Sequence, residues 1–549
     1  MGRGESRDDM ETEPISAKPR AALPLSLRRR LFFGAPAFAG ASLAIPIGVL
    51  MPRFYSDVVL VPLGAIAVAA ALARSFDALT DPLMGWLSDR TRSRWGRRKP
   101  YIAGAVVPTA LCFVALFAPP EHLDSQRAAL WFGASFGFFF LFGTIVEIPY
   151  SALGAELADG YQERSRLFGI RSVFAAAGAI IAAIMPTILA ASGLSGERTI
   201  FRVMAIGYAL LLVVLNAGLL WQVPERREFS ERAPNPLIPG VRRALRNRPF
   251  RILLLAAIMS SIPGATPAVL MPYFVEYVLG AQEPLAMTGL YLMLYLGAGL
   301  LFVPLWMKIA QQVGKLASFI TASSVGVAGS LLYWFAGPGD FVFAGSVYFL
   351  TGTVSQAGAF LVPAMAADVI DYDELRTGKR REAQYTSFWA LVPKFISIPS
   401  YTVPLAVLAG AGYVAGAVQN ESVLFWMRFM YSLFPAFFYV VALLILSRYP
   451  ISEAIHEAIR AGIGARAAGG SVEDPLTGAP LRPEEEATVS EEDGWFLDHF
   501  SPRELRRLHA TGEEGLVRAV LLAIALSLVG FGVTAGLGAG WGNRPLSTA

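Results

Sequence analysis

Charged residues, cysteine and histidine are all scarce in this chain of 549 residues, and each scarcity excludes a class of chemistry. Only 16% of the residues are charged, against roughly 25% in soluble domains, whereas 54% are hydrophobic, so the composition is that of a membrane protein. The single cysteine, Cys112, excludes an intrachain disulfide and a thiolate metal centre. The four histidines all lie outside the predicted membrane spans, which argues against a histidine proton relay: His122, His456, His499 and His509.

The signatures of several other functional classes are missing as well. The net charge of +4 is small and the basic residues lie in short segments between apolar runs, so no nucleic-acid partner is expected. The apolar runs hold no metalloprotease or serine-hydrolase motif, so we expect no enzyme, no catalytic residue and no organic cofactor. The polar segment 1–31 is too long to precede the apolar core of a cleaved signal peptide, and the first apolar run is therefore predicted to remain as a helix.

What the chain has in abundance is apolar runs long enough to span a bilayer, which takes about 20 helical residues each. Twelve such runs are predicted, followed by a thirteenth near the end that either crosses the membrane or re-enters it. The runs lie near 32–57, 62–88, 101–119, 128–156, 168–192, 200–222, 250–279, 287–310, 316–336, 341–368, 385–412, 423–448 and 516–540.

Basic residues gather on one side of this predicted topology, which makes that side and the N-terminus cytoplasmic. The polar segment between the sixth and seventh runs divides the chain into two similar halves, as expected of a transporter whose halves rock about a central site. The predicted parts are a cytoplasmic segment (1–31), a six-helix bundle (32–223), a cytoplasmic linker (224–249), a second six-helix bundle (250–448), a cytoplasmic acidic tail with a short helix (449–515) and the additional helix (516–549).

Two details refine this organisation. AELADGYQER (155–164) follows the fourth run and ADVIDYDELR (367–376) follows the tenth, and these corresponding positions favour an internal duplication over two unrelated charged turns. In the tail, 466–500 is rich in Gly, Pro and acidic residues and is predicted to be a disordered linker, after which a capping box at Ser501 and Glu504 opens the short helix.

Ionisable residues inside the second run point to a cation site. Each such residue costs roughly 2.5 to 3.5 kcal/mol to insert into the bilayer, so its presence there indicates a functional role or a charged partner. Asp77 and Asp81 are four residues apart, with Thr80 beside them, so both carboxylates project from one helical face. Grouped oxygens of this kind suit a small hard cation or a shared proton. Alternatively, Arg74 neutralises Asp77 and the cluster is structural.

Three more charges lie deep in other runs: Glu147 in the fourth, Arg171 in the fifth and Lys394 in the eleventh. Glu147 and Arg171 would close one ion pair, whereas Lys394 belongs to the other half and could face Asp77 and Asp81 across a central cavity. All three are predicted to line that cavity at mid-membrane depth.

Four stretches carry a resemblance to a known family: FYSDVV (54–59), DALTDPLMGWLSDRTRSRWGRRKP (77–100), IPYSALGAE (148–156) and ADVIDYDELRTGKRRE (367–382). Over about residues 30–448 the chain resembles the glycoside-pentoside-hexuronide:cation symporters, the melibiose permease-like branch of the major facilitator superfamily. The resemblance implies an all-α membrane protein of the major facilitator fold, working as a monomer in the inner membrane and moving an organic solute together with Na⁺ or H⁺.

The resemblance also assigns roles to residues. It places the cation site, sodium if the protein is sodium-coupled, at Asp77, Asp81, Thr80 and Thr144, and the functional arginine and lysine at Arg171 and Lys394. The substrate site that it implies comprises Glu147, Arg171, Lys394, Ser151 and Phe360. It further implies a cytoplasmic gating motif at Asp89, Arg90, Arg97 and Arg98.

The departures from the family pattern bear on the substrate. Melibiose permease holds its galactoside with a Lys-Asp pair and two tryptophans; here Phe38 and Ala39 align with the pair, Ser151 with one tryptophan and Ala359 with the other. A sugar site must meet each hydroxyl, and the first apolar run offers little besides Ser42. An amphiphile such as a lysophospholipid is therefore the alternative substrate, and a transporter-like substrate sensor is a remoter alternative.

Overall fold

The computed structural model describes residues 25–157, 161–225, 244–245, 247–378, 382–468 and 470–481. In this part of the chain, twelve helices are long and apolar enough to cross a membrane, which confirms the twelve predicted spans. They are α1 (Leu27–Val58), α2 (Leu63–Arg90), α3 (Lys99–Phe117), α4 (Ser125–Leu157), α5 (Tyr161–Ala191), α6 (Glu197–Gln222), α7 (Arg248–Val278), α8 (Pro284–Val313), α9 (Lys315–Phe335), α10 (Phe341–Thr377), α11 (Glu382–Gly410) and α12 (Glu421–Leu446). The predicted thirteenth helix and the capping box at Ser501 lie outside the described residues.

Side-chain caps account for where several helices begin. Ser26 accepts a hydrogen bond from the backbone N–H of Arg29 at the start of α1, and Asn247 and Asn420 do the same at the starts of α7 and α12. Such caps satisfy backbone donors that have no partner within the helix. They lie just outside the apolar runs, so the polar-to-apolar transitions in the sequence coincide with the helix ends.

The helices pack as two six-helix bundles. In the first, α1 packs on α5 and α6 while α4 packs on α2 and α3; in the second, α8 packs on α10 while α12 packs on α7 and α9. Helices α2 and α11, α5 and α8, and α1 and α7 join the bundles. The end of the helix bundles at which the 91–98 turn lies is called the basic end, and the other end is called the opposite end.

A matched irregularity in α1 and α7 supports duplication of one ancestral half. Each helix finishes in a π-helical turn at the opposite end, over Phe54–Val58 and Phe274–Val278 respectively. Each turn is followed within two residues by a backbone with positive φ, at Leu60 and Gly280. Because π turns are rare and tend to occur at functional sites, their shared position at the ends of these two helices supports a common origin of the two halves.

The beginning of the tail is ordered, contrary to the prediction of a disordered linker from residue 466. Helix α13 (Glu453–Ala467) is followed by a short antiparallel hairpin of β1 (Val472–Glu473) and β2 (Pro480–Leu481). The tail packs on the basic end of α10, where Tyr372 donates a hydrogen bond to the buried carboxylate of Asp474 at 3.0 Å. The composition of the segment predicted a solvated, disordered chain. The contact of Asp474 with Tyr372 and the burial of Ile459 instead hold the start of the tail against α10.

Candidate functional site

Four side chains from three helices and both bundles meet near the midpoints of α2, α4 and α11. Thr144 on α4 donates hydrogen bonds to Asp77 Oδ1 at 2.6 Å and to Asp81 Oδ1 at 3.2 Å. Lys394 on α11 approaches the other side of both carboxylates, donating to Asp77 Oδ2 at 3.0 Å and contacting Asp81 Oδ2. The Lys394 ammonium thus lies between two acids, where a mobile cation would also be attracted.

Two other polar residues of α2 point away from this cluster. The hydroxyl of Thr80 donates to the backbone carbonyl of Asp77 at 3.1 Å, so it braces the helix. The guanidinium of Arg74 lies over the ring of Tyr401, 4.1 Å from its centroid, and Tyr401 in turn donates to the carbonyl of Ile47. The close ion pairs of the two aspartates are therefore with Lys394, and the side chain that Arg74 contacts is that of Tyr401.

Tyr401 is a site residue that the sequence analysis missed. It lies seven residues after Lys394 on α11, two helical turns along the same face, so its spacing was the available signal. An Arg over an aromatic face is attracted by the ring quadrupole, more strongly where water is excluded. Arg74 and Tyr401 therefore join the two bundles one turn nearer to the opposite end than the acidic cluster.

A second charged pair lies one helical turn along α4. Arg171 donates to Glu147 Oε1 at 2.5 Å, and Ser151 donates to the same oxygen at 2.9 Å. The Arg171 guanidinium also lies 4.7 Å from the ring centroid of Tyr150. Since Glu147 is three residues after Thr144, both clusters share one face of α4 and form a continuous polar surface.

Phe360, the remaining predicted substrate residue, lies on α10 and is half-buried against the apolar core of the second bundle. It is close in sequence to the bend at which α10 departs from regular α-helix, around Gln356. The structure thus places Phe360 in the apolar packing of the second bundle, and its predicted role in substrate binding remains a prediction.

Contacts between the bundles close the opposite end. Arg53 on α1 donates to both carboxylate oxygens of Glu197 on α6, at 3.0 and 2.8 Å, and contacts Glu276 on α7 of the other bundle. Asp57, one turn further along α1, accepts from Tyr277 at 2.9 Å and from Tyr413 at 2.5 Å. We call these six residues the opposite-end cluster.

Tyr413 is the member of the opposite-end cluster whose ionisation is suppressed most strongly. Burial, together with the neighbouring Tyr273 and Asp57, raises the pKa of Tyr413 well above its usual range. Its hydroxyl therefore stays protonated and continues to donate to Asp57. The motif FYSDVV carries a family resemblance in the sequence, and in the structure its acid, Asp57, links the two bundles.

The polar surface is partly exposed. Hydrogen bonds between the two bundles occur at the opposite end and near the helix midpoints. The Glu147 side chain is nevertheless 55% exposed and that of Lys394 is 36% exposed. Both side chains can therefore be reached by a solute although the opposite end is closed.

The residues of the predicted gating motif form an ion-pair network at the basic end. Arg98 contacts Asp89 at 2.6 Å and Glu156 at 2.8 Å, and Arg97 contacts Glu156 at 2.5 Å. Arg90, the fourth residue of the motif, stacks on Trp86, with the guanidinium 4.4 Å from the ring centroid. The network fixes the turn between α2 and α3 to the end of α4.

The second bundle contains the equivalent ion pair. Lys315, the first residue of α9, donates to Asp368 near the end of α10 at 2.6 Å. Glu156 and Asp368 occupy the second position of the two repeated stretches, 155–164 and 367–376. The faint sequence repeat therefore corresponds to a repeated structural contact, which supports duplication over chance.

We expect Arg53→Gln to open the opposite end, because it leaves Glu197 and Glu276 without the cation that draws the bundles together. Spin labels at Ser192 and Gln282, in a Cys112→Ser background, should then show a population at longer distance by pulsed electron resonance. Arg202→Gln is the control, because Arg202 pairs with Glu121 at an exposed site within the first bundle. An unchanged distance distribution in Arg53→Gln would show that the cluster does not hold the end closed.

The chain is similar in sequence to known transporters. The family model described as MFS/sugar transport protein matches residues 32–453. A symporter of Synechocystis is 28% identical over 81% of this chain and 98% of its own length, and a putative glycoside/cation symporter of Escherichia coli is 28% identical over 78% and 94%. The sodium-dependent lysophosphatidylcholine symporter 1-A of Danio rerio is 26% identical over 74% of this chain and 82% of its own.

The fold is shared with solved transporters. The crystal structure of a nucleoside transporter aligns over 77% of this chain and 99% of its own, with a TM-score of 0.56 at 15% identity. The fold is thus the all-helical major facilitator fold. The chain belongs to the MFS/sugar transport protein family, a family of transporters and not of enzymes, and is a multi-pass inner-membrane protein.

Proposed function

We propose that the protein is a cation-coupled symporter of an organic solute that works by alternating access. The observation that carries the proposal is the position of Lys394, whose ammonium bridges Asp77 and Asp81 while Thr144 contacts both acids from the other side. Two carboxylates in hydrocarbon surroundings need positive charge, which a fixed lysine and a mobile Na⁺ or H⁺ can supply in alternation. No organic cofactor is needed.

Coupling then follows from competition for the carboxylates. When a cation binds at Asp77 and Asp81, their attraction for Lys394 falls, and the ammonium is free to engage substrate in the cavity. Because Lys394 is on α11 and the acids are on α2, the exchange also changes the contact between the bundles. Its effect on the equilibrium between the two access states is limited by the difference in affinity of those states for the cation.

For the substrate, we propose a glycoside-type solute, in keeping with the family. Glu147, Arg171 and Ser151 offer the acceptors and donors that hydroxyl groups require. An amphiphile such as a lysophospholipid is the second candidate, because the adjoining Glu147 and Arg171 could pair with the two charges of a zwitterionic headgroup while the apolar α1 meets an acyl chain. The names of the Escherichia coli and Danio rerio relatives are in keeping with one candidate each.

Uptake into proteoliposomes made with the full chain tests the proposal. Radiolabelled sugars, glycosides and lysophosphatidylcholine should be screened with an inward sodium gradient, with an inward proton gradient and with neither. Accumulation of one class that depends on one gradient supports symport, and the gradient identifies the ion. Substrate binding without counterflow would instead indicate a sensor, and uptake that ignores both gradients would indicate a facilitator. Orientation with a cytoplasmic N-terminus and a monomeric state belong to the same proposal.

Melibiose and lactose are expected to bind poorly or not at all, at least about 100-fold more weakly than the true substrate. The positions of the galactoside clamp carry Phe38, Ala39, Ser151 and Ala359, which leave sugar hydroxyls unpaired, and each unmet buried polar group costs about 1 to 3 kcal/mol. Isothermal titration calorimetry on the purified protein measures this, with the solute identified by the uptake screen as the positive control. A micromolar dissociation constant for either disaccharide would contradict the prediction.

A further inference from the structure

An open groove runs along the seam between α1 and α5 at the basic end, separate from the central cavity residues. Its volume is about 590 Å³, and five of its seven lining residues are apolar or glycine: Leu31, Gly169, Ile170, Val173 and Phe174. Val173 is 68% exposed although α5 is a membrane-spanning helix. An exposed apolar wall within a span is a surface for hydrocarbon, because water at that depth is scarce.

The other two lining residues are arginines, Arg30 and Arg166, and both lie at the mouth of the groove. They are near the first turns of α1 and α5, at the depth of lipid headgroups. Arg30 makes a two-pronged ion pair with Glu163, whereas Arg166 is exposed and has no ion pair with any residue that the structure describes. Arg166 therefore presents a free positive charge above an apolar channel.

Positive charge dominates the surroundings of the mouth. Segments 25–31 and 161–167 together contain five arginines, at 28, 29, 30, 164 and 166, and a single acid, Glu163. Glu163 is occupied by Arg30 and by the backbone N–H of Leu25. From Arg166 the groove continues to Phe174, about 12 Å along the helix at 1.5 Å per residue. A phosphate at the mouth with an acyl chain below it matches both the charge and the polarity of this surface.

We propose that the groove between α1 and α5 binds an anionic phospholipid of the bilayer, with the phosphate on Arg166 and Arg30 and one acyl chain along Gly169, Val173 and Phe174. Basic pockets between membrane helices recognise such headgroups by charge, and the apolar wall contributes burial of the chain. The bound lipid would brace α1 against α5, the helix that carries Arg171. The inference does not depend on the proposed substrate or coupling ion.

Two pairs of variants test the proposal. Gly169→Leu fills the groove, and a Cβ at Gly169 meets no atom within 4 Å, so the bundle should fold unchanged; Gly207→Leu, on α6 with equally open space, is its control. Arg166→Gln removes the free charge; Arg164→Gln is its control, because Arg164 is bonded to the carbonyl of Ala155 at 3.3 Å. The readout is native mass spectrometry of the full chain titrated with dioleoylphosphatidylglycerol or dioleoylphosphatidylcholine.

Wild type should retain one phosphatidylglycerol more tightly than phosphatidylcholine. Arg166→Gln should weaken that binding about fivefold, the value of one basic residue near an anionic lipid, and Gly169→Leu should weaken it at least as much. The two control variants should match wild type. Equal retention of both lipids, unchanged affinity in Arg166→Gln and Gly169→Leu, or displacement of the lipid by transported substrate would each overturn the proposal; the last would make the groove part of the substrate path.

Discussion

Asp77→Asn and Asp81→Asn are each expected to abolish gradient-driven accumulation of substrate, so that the ratio of internal to external concentration falls to about one. Asparagine keeps the size of the side chain and can still accept from Thr144, but it removes the negative charge that attracts a cation. Without that charge the cation cannot compete with Lys394 for the site, so the ion gradient is no longer coupled to the movement of substrate. Substrate exchange at equal concentrations should be retained, since the Glu147 and Arg171 pair is untouched.

Proteoliposome uptake against a sodium or proton gradient is the measurement, with equilibrium exchange assayed in parallel. Asp124→Asn serves as the matched control, because Asp124 forms an exposed pair with Arg127 outside the membrane core. If Asp77→Asn and Asp81→Asn both still accumulate substrate against its gradient, the coupling cation binds elsewhere. Loss of exchange together with accumulation would indicate a folding defect, which the thermal unfolding midpoint would reveal.

The topology was predictable because each span is a long apolar run whose ends are marked by polar residues and caps. The grouping of Asp77, Asp81 and Lys394 was predictable for a related reason: charges in hydrocarbon must find partners, and few partners exist. Glu147 and Arg171 follow the same logic. These inferences need only the positions of charged residues within apolar runs, which a single sequence gives, and the free-energy cost of placing a charge in hydrocarbon.

Other features depended on three-dimensional packing that no local pattern records. Arg74 lies on Tyr401 of the other bundle, although Asp77, three residues away, was its nearest partner along the chain. The start of the tail is held to α10 through Tyr372 and Asp474, which are 102 residues apart. Long-range contacts of this kind are set by the mutual position of the bundles, so they could be found only in the structure.

Lys394 is the residue whose replacement separates competition from simple structural support. If the ammonium competes with the cation, Lys394→Ala should bind the coupling ion at least about tenfold more tightly than wild type, while coupled uptake is lost. The electrostatic scale is sufficient: unit charges 3.0 Å apart interact by about 5 kcal/mol at an effective dielectric of 20. Removing the lysine leaves two acids that the cation alone can neutralise.

Titration calorimetry with Na⁺, repeated at several pH values, measures the affinity, and proteoliposome uptake measures coupling. Lys394→Arg keeps the charge and should retain weaker ion binding than Lys394→Ala, although the planar guanidinium fits between the two aspartates differently. Lys308→Ala, at an exposed position on α8, is the neutral control. If Lys394 instead only supports the cluster, its removal should weaken ion binding, because two carboxylates left without a partner repel each other and one of them takes a proton. Uptake that keeps its rate and its sodium or pH dependence in Lys394→Ala would contradict charge competition as the coupling mechanism, and the position of Lys394 between the acids would then be a stabilising contact between the two bundles.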